Sequence, residues 1–105
     1  MLPLPADSKL SDIQQYVAAM EAERGFSHRT VMEEALLLGE EVGELFKAIR
    51  KAQNLSTATG SLVGSVDEEL ADLLIFVCAI ANRLDINLTD ALRRKEAHNE
   101  TRIWA

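Results

Sequence analysis

Apolar residues recur every three or four positions along most of the chain, which is the spacing of one face of an α-helix. The first apolar stripe is preceded by a capping-box pattern, in which Gln14 follows Ser11, and it ends near Gly25. A second capping box, Thr30 followed by Glu33, precedes a longer stripe that continues to about residue 52. The pattern therefore predicts two helices in the first half of the chain.

Two further helices are predicted in the second half. Ser65 begins a third capping box and opens a helix over residues 66 to about 84. Thr89 is predicted to cap a last, more polar helix that continues to about Arg102. Between the second and third helices, residues 54–65 are rich in Gly, Ser and Thr without a clear period, which indicates a loop. No segment shows the alternation typical of a strand.

Length and composition agree with one helical domain and exclude several functions. The chain has 105 residues, 48% hydrophobic and 27% charged, which is typical of a globular protein. We therefore expect a single domain over residues 1–105, folded as an all-α four-helix bundle. The formal net charge of −6 argues against binding to duplex nucleic acid, which needs a concentrated basic surface. The single cysteine, Cys78, excludes an intramolecular disulfide and a cysteine-based zinc site.

Targeting signals are not evident in the sequence. The first residues, MLPLPADSK, lack the basic and long apolar segments of a secretory signal. The longest apolar run, LADLLIFVCAIA, is too short to span a bilayer and contains Asp72. Cys78 lies in this run and is expected to be a small buried hydrophobic residue. These features predict a cytoplasmic protein without a membrane partner.

The predicted second helix carries two carboxylates beside its core-facing stripe. With Leu38 at zero on a helical wheel, other core positions fall within ~40° of it; they are Val42, Leu45 and Ile49. Glu41 and Glu44 fall at roughly −60° and −120°, on the flank of this stripe and among apolar neighbours. Glu40 falls on the opposite, solvent-facing side, so we leave it out of any internal site.

The predicted third helix repeats this feature with Glu69 and Asp72. Phe76 and Ile80 fall within ~20° of Glu69, which therefore lies in the middle of an apolar stripe, and Asp72 lies near −60°. Leucine, isoleucine and valine cover most of the remaining circumference. A helix that is apolar on nearly all sides is expected to be buried on several of them.

Two such pairs on packed helices predict a metal site. Burying unpaired carboxylates is costly, so such groups normally pair with cations or bind a metal. These helices offer too few inward-facing lysines and arginines to neutralise four acids, and hard oxygen ligands suit Mg²⁺ or Mn²⁺. A single E-x-x-E pair usually lies on a solvent-exposed helix face. Two such pairs, each embedded in apolar sequence on helices that should pack together, are much less common by chance. Di-iron bundles need Glu-x-x-His motifs, and neither His28 nor His98 has that spacing.

The same motifs resemble a known family. EEVGE (Glu40 to Glu44) and EELAD (Glu68 to Asp72) resemble the EExxE…ExxD signature of the MazG-like, all-α nucleoside triphosphate pyrophosphohydrolases. The apolar segment after the second pair and the tail KEAHNETR are also similar to this family. The segment AERGFSHRTVMEEALLLGEEVGEL resembles its dCTP-pyrophosphatase branch. The similarity covers about residues 10–104.

The resemblance implies an enzyme that cleaves (deoxy)nucleoside triphosphates between the α- and β-phosphates. The products are the nucleoside monophosphate and pyrophosphate, and the role is house-cleaning or control of the nucleotide pool. The implied cofactor is Mg²⁺, with Mn²⁺ as a substitute. The implied metal ligands and catalytic residues are the four carboxylates singled out above, Glu41, Glu44, Glu69 and Asp72.

Contacts with the substrate are implied at two further places. Lys95, Asn99 and Arg102 recur at i, i+4 and i+7, on one face of the predicted last helix, and match the family's phosphate-binding tail. The alternative is an ordinary solvated helix face. Phe26 matches a position at which the dCTP-pyrophosphatase branch stacks an aromatic ring on the base. The alternative for Phe26 is a packing contact at the start of the second helix.

Assembly and two other functions complete these expectations. The helix segment from Leu70 to Ala81 is apolar on nearly every face, which predicts a homodimer or a homotetramer built as a dimer of dimers. The implied partner is a nucleoside triphosphate. A phosphoribosyl-ATP pyrophosphohydrolase has similar carboxylates and is an alternative. A non-catalytic helical interaction module is an alternative of a different class.

Overall fold

Four α-helices and no strand make up the described part of the chain. A computed structural model of the protein describes residues 1–55 and 63–104. The helices are α1 (Leu10–Arg24), α2 (Val31–Ala52), α3 (Val66–Arg83) and α4 (Leu88–Asn99). The all-α prediction is confirmed. Most of the loop predicted over residues 54–65 lies outside the described residues.

Two of the predicted helix starts are confirmed. The Thr30 hydroxyl accepts a hydrogen bond from the backbone N–H of Glu33 at 3.1 Å, so Thr30 caps α2. Helix α3 begins directly after Ser65, whose hydroxyl donates to the Glu68 carboxylate at 2.8 Å. Helix α1 ends as predicted at Gly25, whose φ of 77° lies in the left-handed region that glycine adopts without strain.

The predicted cap of α1 at Ser11 is wrong, because the N-cap lies two residues earlier, at Lys9, and the helix begins at Leu10. The residue before α1 is Lys9, whose backbone N–H donates to the Asp12 carboxylate at 2.9 Å. Gln14, the other half of the predicted capping box, is used in the core instead. Its side-chain amide donates to the Ile86 carbonyl at 2.8 Å and accepts from the Leu88 N–H at 2.9 Å. The buried amide thus ties α1 to the connection before α4.

The predicted cap of α4 at Thr89 is also wrong. Asn87 precedes the helix, and its side-chain oxygen accepts from the backbone N–H of Asp90 at 2.9 Å. Asparagine is a better N-cap than threonine, so the helix starts at the earlier position. The helix also ends at Asn99, three residues before the predicted end at Arg102. There the backbone N–H of Arg102 donates to the Asn99 carbonyl at 3.1 Å, which closes a tight turn.

Helix α3 is the centre of the packing, because it contacts both α2 and α1, while α4 packs on α1. The fully buried core lies between α1 and α3 and consists of Val17, Met20, Cys78 and Ala79. Cys78 is buried, as predicted, and burial raises the pKa of its thiol. The packing of α2 along α3 brings the two carboxylate-bearing segments together.

A substantial apolar surface stays exposed in the isolated protomer. The large apolar residues of α2 and α3 with 41–69% of their surface exposed are Met32, Leu36, Phe46, Ile49, Leu70 and Leu74. The packing of one protomer therefore leaves uncovered part of the apolar circumference that the sequence indicated for α3. None of the helices in the described residues is long and apolar enough to cross a membrane.

Candidate functional site

Three of the four predicted carboxylates converge between α2 and α3. Oxygen atoms of Glu41, Glu69 and Asp72 all lie within 4.8 Å of one another. Glu41 comes from α2, while Glu69 and Asp72 share one face of α3 because they are three residues apart. Glu41 and Glu69 are half-buried and Asp72 is exposed, so the cluster opens to solvent on one side.

The convergence of these carboxylates raises the pKa of Glu41. The pKa of Glu41 is raised from 4.5 to about 7, first by burial, then by its hydrogen bond with Glu69 and by the negative charges of Asp72, Glu69 and Glu44. The buried Oε2 atom of Glu41 has no hydrogen-bond partner among the described residues. Three carboxylates with an unsatisfied buried oxygen form a donor set that fits a hard divalent cation.

Gly64 makes room for this cluster. A Cβ atom built on Gly64 would overlap the Oε1 atom of Glu69, so any side chain there would displace the carboxylate. Gly64 precedes the first residue of α3 by two positions and lies at the end of the connection from α2. In the sequence this glycine is recognisable only as part of the predicted loop over residues 54–65, because its contact with Glu69 depends on how residue 64 lies against α3.

Glu44, the fourth predicted ligand, lies outside the convergent group. Its carboxylate is 3.8 Å from the ammonium nitrogen of Lys47, three residues further along α2. On the helical wheel it is turned about 60° further from the core stripe than Glu41. Its negative charge still contributes to the raised pKa of Glu41, so it lies at the edge of the cluster.

A cavity of about 200 Å³ adjoins the cluster. It is formed by the end of α1, the α1–α2 connection, α2 and α3. Its lining residues include Phe26, Arg29, Glu41, Asp72 and Phe76. Phe26 therefore lines the same cavity as two of the convergent carboxylates. The guanidinium of Arg29 lies over the Phe26 ring, 4.0 Å from its centroid.

A buried ion network closes the inner end of this cavity. Arg83 of α3 donates to both carboxylate oxygens of Glu21, at 3.0 and 2.5 Å, and lies 3.4 Å from the Glu34 carboxylate. It also donates to the backbone carbonyls of Phe26 and Arg29, at 3.0 and 2.7 Å. The hydrogen bond to Glu21 raises the pKa of Arg83, so the guanidinium stays charged. One arginine thus fixes the α1–α2 connection that carries Phe26.

Sequence reasoning missed the acids of this network. Glu34 is only 1% exposed and Glu21 5%. The available signal was weak: Glu34 precedes Glu41 by seven residues and so shares its helix face. The pairing with Arg83 depends on the packing of three helices and has no local sequence signature.

The predicted phosphate-binding residues lie elsewhere in the protomer. Lys95 is exposed on α4, Asn99 is the last residue of that helix, and Arg102 follows it. The prediction that all three share one helix face is wrong, because α4 ends at Asn99. The guanidinium of Arg102 instead lies over the Trp104 ring, 4.7 Å from its centroid. None of the three lines the cavity beside the carboxylates.

The raised pKa of Glu41 predicts an unusual pH dependence of stability without metal. The unfolded chain releases this proton near pH 4.5, whereas the folded protein keeps it to about pH 7. Between these values the folded state holds more protons, so its free energy of unfolding should fall as the pH rises, by at most about 1 kcal/mol per pH unit after allowance for solvent screening. Urea unfolding in the presence of a chelator, from pH 5 to pH 8, measures this slope.

The matched variant for this prediction is Glu41→Gln, which cannot titrate. Its free energy of unfolding should change less between pH 5 and pH 7 than that of the wild type. Equal slopes in the two proteins would show that other groups dominate the titration and that Glu41 is not perturbed by its neighbours.

Comparison with known proteins agrees with the geometry of the site. The family model of the MazG nucleotide pyrophosphohydrolase domain matches residues 26–102. Two crystal structures of iMazG from Vibrio DAT 722, in Ctag and Ntag forms, are similar to this chain at 35% and 34% sequence identity. They cover 90% and 93% of this chain and 100% of their own, with a TM-score of 0.66 in each case. No curated protein gives a match.

The matched region contains α2, α3 and α4 entire and begins at Phe26. It therefore includes every residue of the carboxylate cluster and the cavity-lining residues of the α1–α2 connection. The resemblance inferred from the two acidic motifs is confirmed, and the chain belongs to the MazG nucleotide pyrophosphohydrolase family.

Proposed function

We propose that this protein hydrolyses (deoxy)nucleoside triphosphates to nucleoside monophosphates and pyrophosphate in a Mg²⁺-dependent reaction. The observation that carries the proposal is the convergence of Glu41, Glu69 and Asp72 within 4.8 Å, beside a cavity that holds an aromatic side chain. Membership of a nucleotide pyrophosphohydrolase family supports the reaction class. The biological role would be removal of surplus or non-standard nucleotides by a single domain over residues 1–105.

The chemistry follows from the cluster. Glu41, Glu69 and Asp72 would hold the cation, and Glu44 would add a fourth carboxylate from the next turn of α2. Bound Mg²⁺ supplies a positive charge for the phosphates and lowers the pKa of water, which makes water a usable nucleophile near neutral pH. The carboxylates would act on the triphosphate only through the cation that they fix, because their own negative charges repel the phosphates. Mn²⁺ has similar ligand preferences and should substitute.

The base is proposed to lie in the cavity against Phe26. This side chain lines the same cavity as Glu41 and Asp72, so a nucleotide with its phosphates at the cluster can place its base there. Stacking on an aromatic ring contributes ~1–3 kcal/mol per base and does not depend strongly on which base is present. The cavity therefore provides affinity for nucleosides, while the carboxylates provide the chemistry.

The residues of the α4 tail are proposed to bind phosphate after assembly into an oligomer. Lys95, Asn99 and Arg102 do not line the acidic cavity of their own protomer, yet two of them carry positive charge. The exposed apolar side chains of α2 and α3 offer a surface on which a second protomer can pack. Such a homodimer, or a dimer of dimers, would place α4 of one protomer near the site of another.

We expect Lys95→Ala and Arg102→Ala each to raise KM roughly fivefold, because each removes a charge-assisted contact with phosphate. The melting temperature should stay unchanged, since Lys95 is exposed and Arg102 lies beyond α4. The kinetics are measured at a concentration at which light scattering shows the oligomer. Arg93→Ala is the control, an exposed arginine of α4 outside the tail motif. Wild-type KM in both tail variants would favour the solvated-face interpretation.

The decisive experiment for the proposed function is a screen of nucleoside triphosphates with Mg²⁺. Ion-pair chromatography separates the monophosphate plus pyrophosphate expected here from the diphosphate plus phosphate of other hydrolases. Including phosphoribosyl-ATP tests the related pyrophosphohydrolase activity. Turnover of none of these compounds, with Mg²⁺ or Mn²⁺, would favour the non-catalytic helical module and refute the proposal.

A further inference from the structure

Two arginines line the cavity, and in the described residues their guanidinium N–H groups donate no hydrogen bond. The charged side chains that line the cavity are the acids Glu21, Glu34, Glu41 and Asp72 and the arginines Arg24 and Arg29. In the described part of the chain neither arginine side chain donates a hydrogen bond, and Arg24 forms no ion pair. Each guanidinium carries five N–H donors, and at the partly exposed Arg29 and the exposed Arg24 these donors are open to a ligand that enters the cavity.

The acids of the cavity are already engaged. Glu21 receives two hydrogen bonds from Arg83, and Glu34 lies 3.4 Å from the same guanidinium. Glu41 and Asp72 belong to the carboxylate cluster, where a cation would neutralise them. Arg24 and Arg29 line the same cavity as Glu41 and Asp72, and of the two only Arg29 has an ion pair there, the 3.8 Å contact with Glu34.

Arg29 is held in place without being saturated. Its guanidinium lies over the Phe26 ring at 4.0 Å, and one of its nitrogens lies 3.8 Å from the Glu34 carboxylate, which is too long for a hydrogen bond. Its side chain keeps 27% of its surface exposed. The stacking and the ion pair restrict the side chain, while the edge of the planar group remains free to donate.

We propose that Arg29, assisted by Arg24, binds phosphate oxygens of the nucleotide within the same protomer. A guanidinium donates two parallel hydrogen bonds to a phosphate, which a more flexible ammonium group does not. The inference rests on the proposed function, because the carboxylate cluster must bring a polyphosphate into this cavity. It adds a contact that is independent of the α4 tail and of any second protomer.

The test uses inorganic pyrophosphate with Mg²⁺ as the probe, because pyrophosphate has phosphate oxygens and no base. Isothermal titration calorimetry should show that Arg29→Gln weakens pyrophosphate binding by about tenfold or more relative to wild type. Arg24→Gln should also weaken pyrophosphate binding, but by less, because Arg24 is more exposed than Arg29. Arg29→Lys keeps the charge without the planar donor pair, so it should restore only part of the affinity.

A parallel titration with an unphosphorylated nucleoside separates phosphate binding from base stacking. If Arg29 only supports Phe26, Arg29→Gln weakens nucleoside binding and leaves pyrophosphate binding unchanged, which overturns the inference. Arg50→Gln removes an exposed arginine of α2 outside the cavity and controls for the change in net charge. Equal pyrophosphate affinities in Arg29→Gln and Arg50→Gln would also overturn it.

The outcome is independent of turnover. A protein that binds pyrophosphate through Arg29 but hydrolyses no triphosphate would refute the proposed function and retain this subsite. A protein that hydrolyses triphosphates while Arg29→Gln binds pyrophosphate normally would retain the function and refute the subsite. A wild type that binds no pyrophosphate in the presence of Mg²⁺ would refute the subsite directly.

Discussion

Glu69→Gln is expected to lower kcat by more than about a hundredfold while the protein remains folded. Glu69 lies within 4.8 Å of both Glu41 and Asp72, and its negative charge contributes to the raised pKa of Glu41, so it is a direct member of the carboxylate cluster. A neutral amide is a weaker ligand than a carboxylate and holds a cation less accurately. Displacements of reacting groups by about 1 Å already cost about a hundredfold in rate, and lost electrostatic stabilisation adds to this.

The same substitution should leave the metal-free protein at least as stable as the wild type. The negative charge of Glu69 contributes to the raised pKa of Glu41, which means that the cluster is repulsive when no cation is present. Glutamine removes one charge and can still hydrogen-bond to Glu41. Melting curves with and without Mg²⁺ should show a cation-dependent rise for the wild type and a smaller rise for the variant.

Glu68→Gln is the matched control, because it changes the neighbouring exposed acid on the same helix. The Glu68 carboxylate accepts a hydrogen bond from Ser65, which a glutamine side chain can also accept. It should retain wild-type kcat and the Mg²⁺-dependent rise in melting temperature. The metal-cluster interpretation would be refuted by an active Glu69→Gln enzyme. It would also be refuted if neither Mg²⁺ nor Mn²⁺ changed the melting temperature of the wild type.

The carboxylate cluster was predictable because helical periodicity is a local property. Residues three apart share a helix face, so the sequence alone placed Glu69 and Asp72 together and Glu41 beside the core stripe of its own helix. Apolar surroundings then indicated that the two faces meet. The ranking of the four acids was not predictable, because the way α2 packs along α3 decides which carboxylate of α2 comes close to Glu69 and Asp72.

The ends of α4 show where local reasoning failed. Thr89 and Asn87 both fit a capping position, and only the competition between them decides the start of the helix. Its end at Asn99 follows from turn hydrogen bonds such as that from the Thr101 hydroxyl to the His98 carbonyl at 2.6 Å. The motif from Lys95 to Arg102 therefore has the spacing of the family's tail, but its residues do not lie on one face of a single helix.

The ion network around Arg83 was missed for a different reason. We expected too few inward-facing basic residues to neutralise the acids of α2 and α3, yet Arg83 of α3 is directed inward, with only 13% of its side chain exposed. It neutralises Glu21 and Glu34 rather than the four predicted ligands. The premise that these helices carry too few inward-facing cations is therefore incomplete, because Arg83 pairs with acids outside the predicted ligand set.

Arg83→Met is expected to lower the free energy of unfolding by about 3–5 kcal/mol, the cost of removing one partner from a buried ion pair. The substitution would leave the Glu21 carboxylate, which is 5% exposed, without its two hydrogen bonds. It would also leave Glu34 without its nearer cation and two backbone carbonyls of the α1–α2 connection without a donor. For a domain of this size the melting temperature should fall by roughly 15 °C or more.

The double variant Glu21→Gln/Arg83→Met tests whether the uncompensated charge is the cause. Removing the stranded carboxylate should recover part of the lost stability, since a buried amide costs less to desolvate than a buried charge. Arg94→Met, at an exposed position of α4, is the control and should change the melting temperature by no more than a degree or so. If Arg83→Met unfolds at the same urea concentration as this control, the network contributes little to stability. In that case Arg83 would act only by positioning Phe26 and Arg29 at the cavity, and its loss would be seen in KM rather than in unfolding.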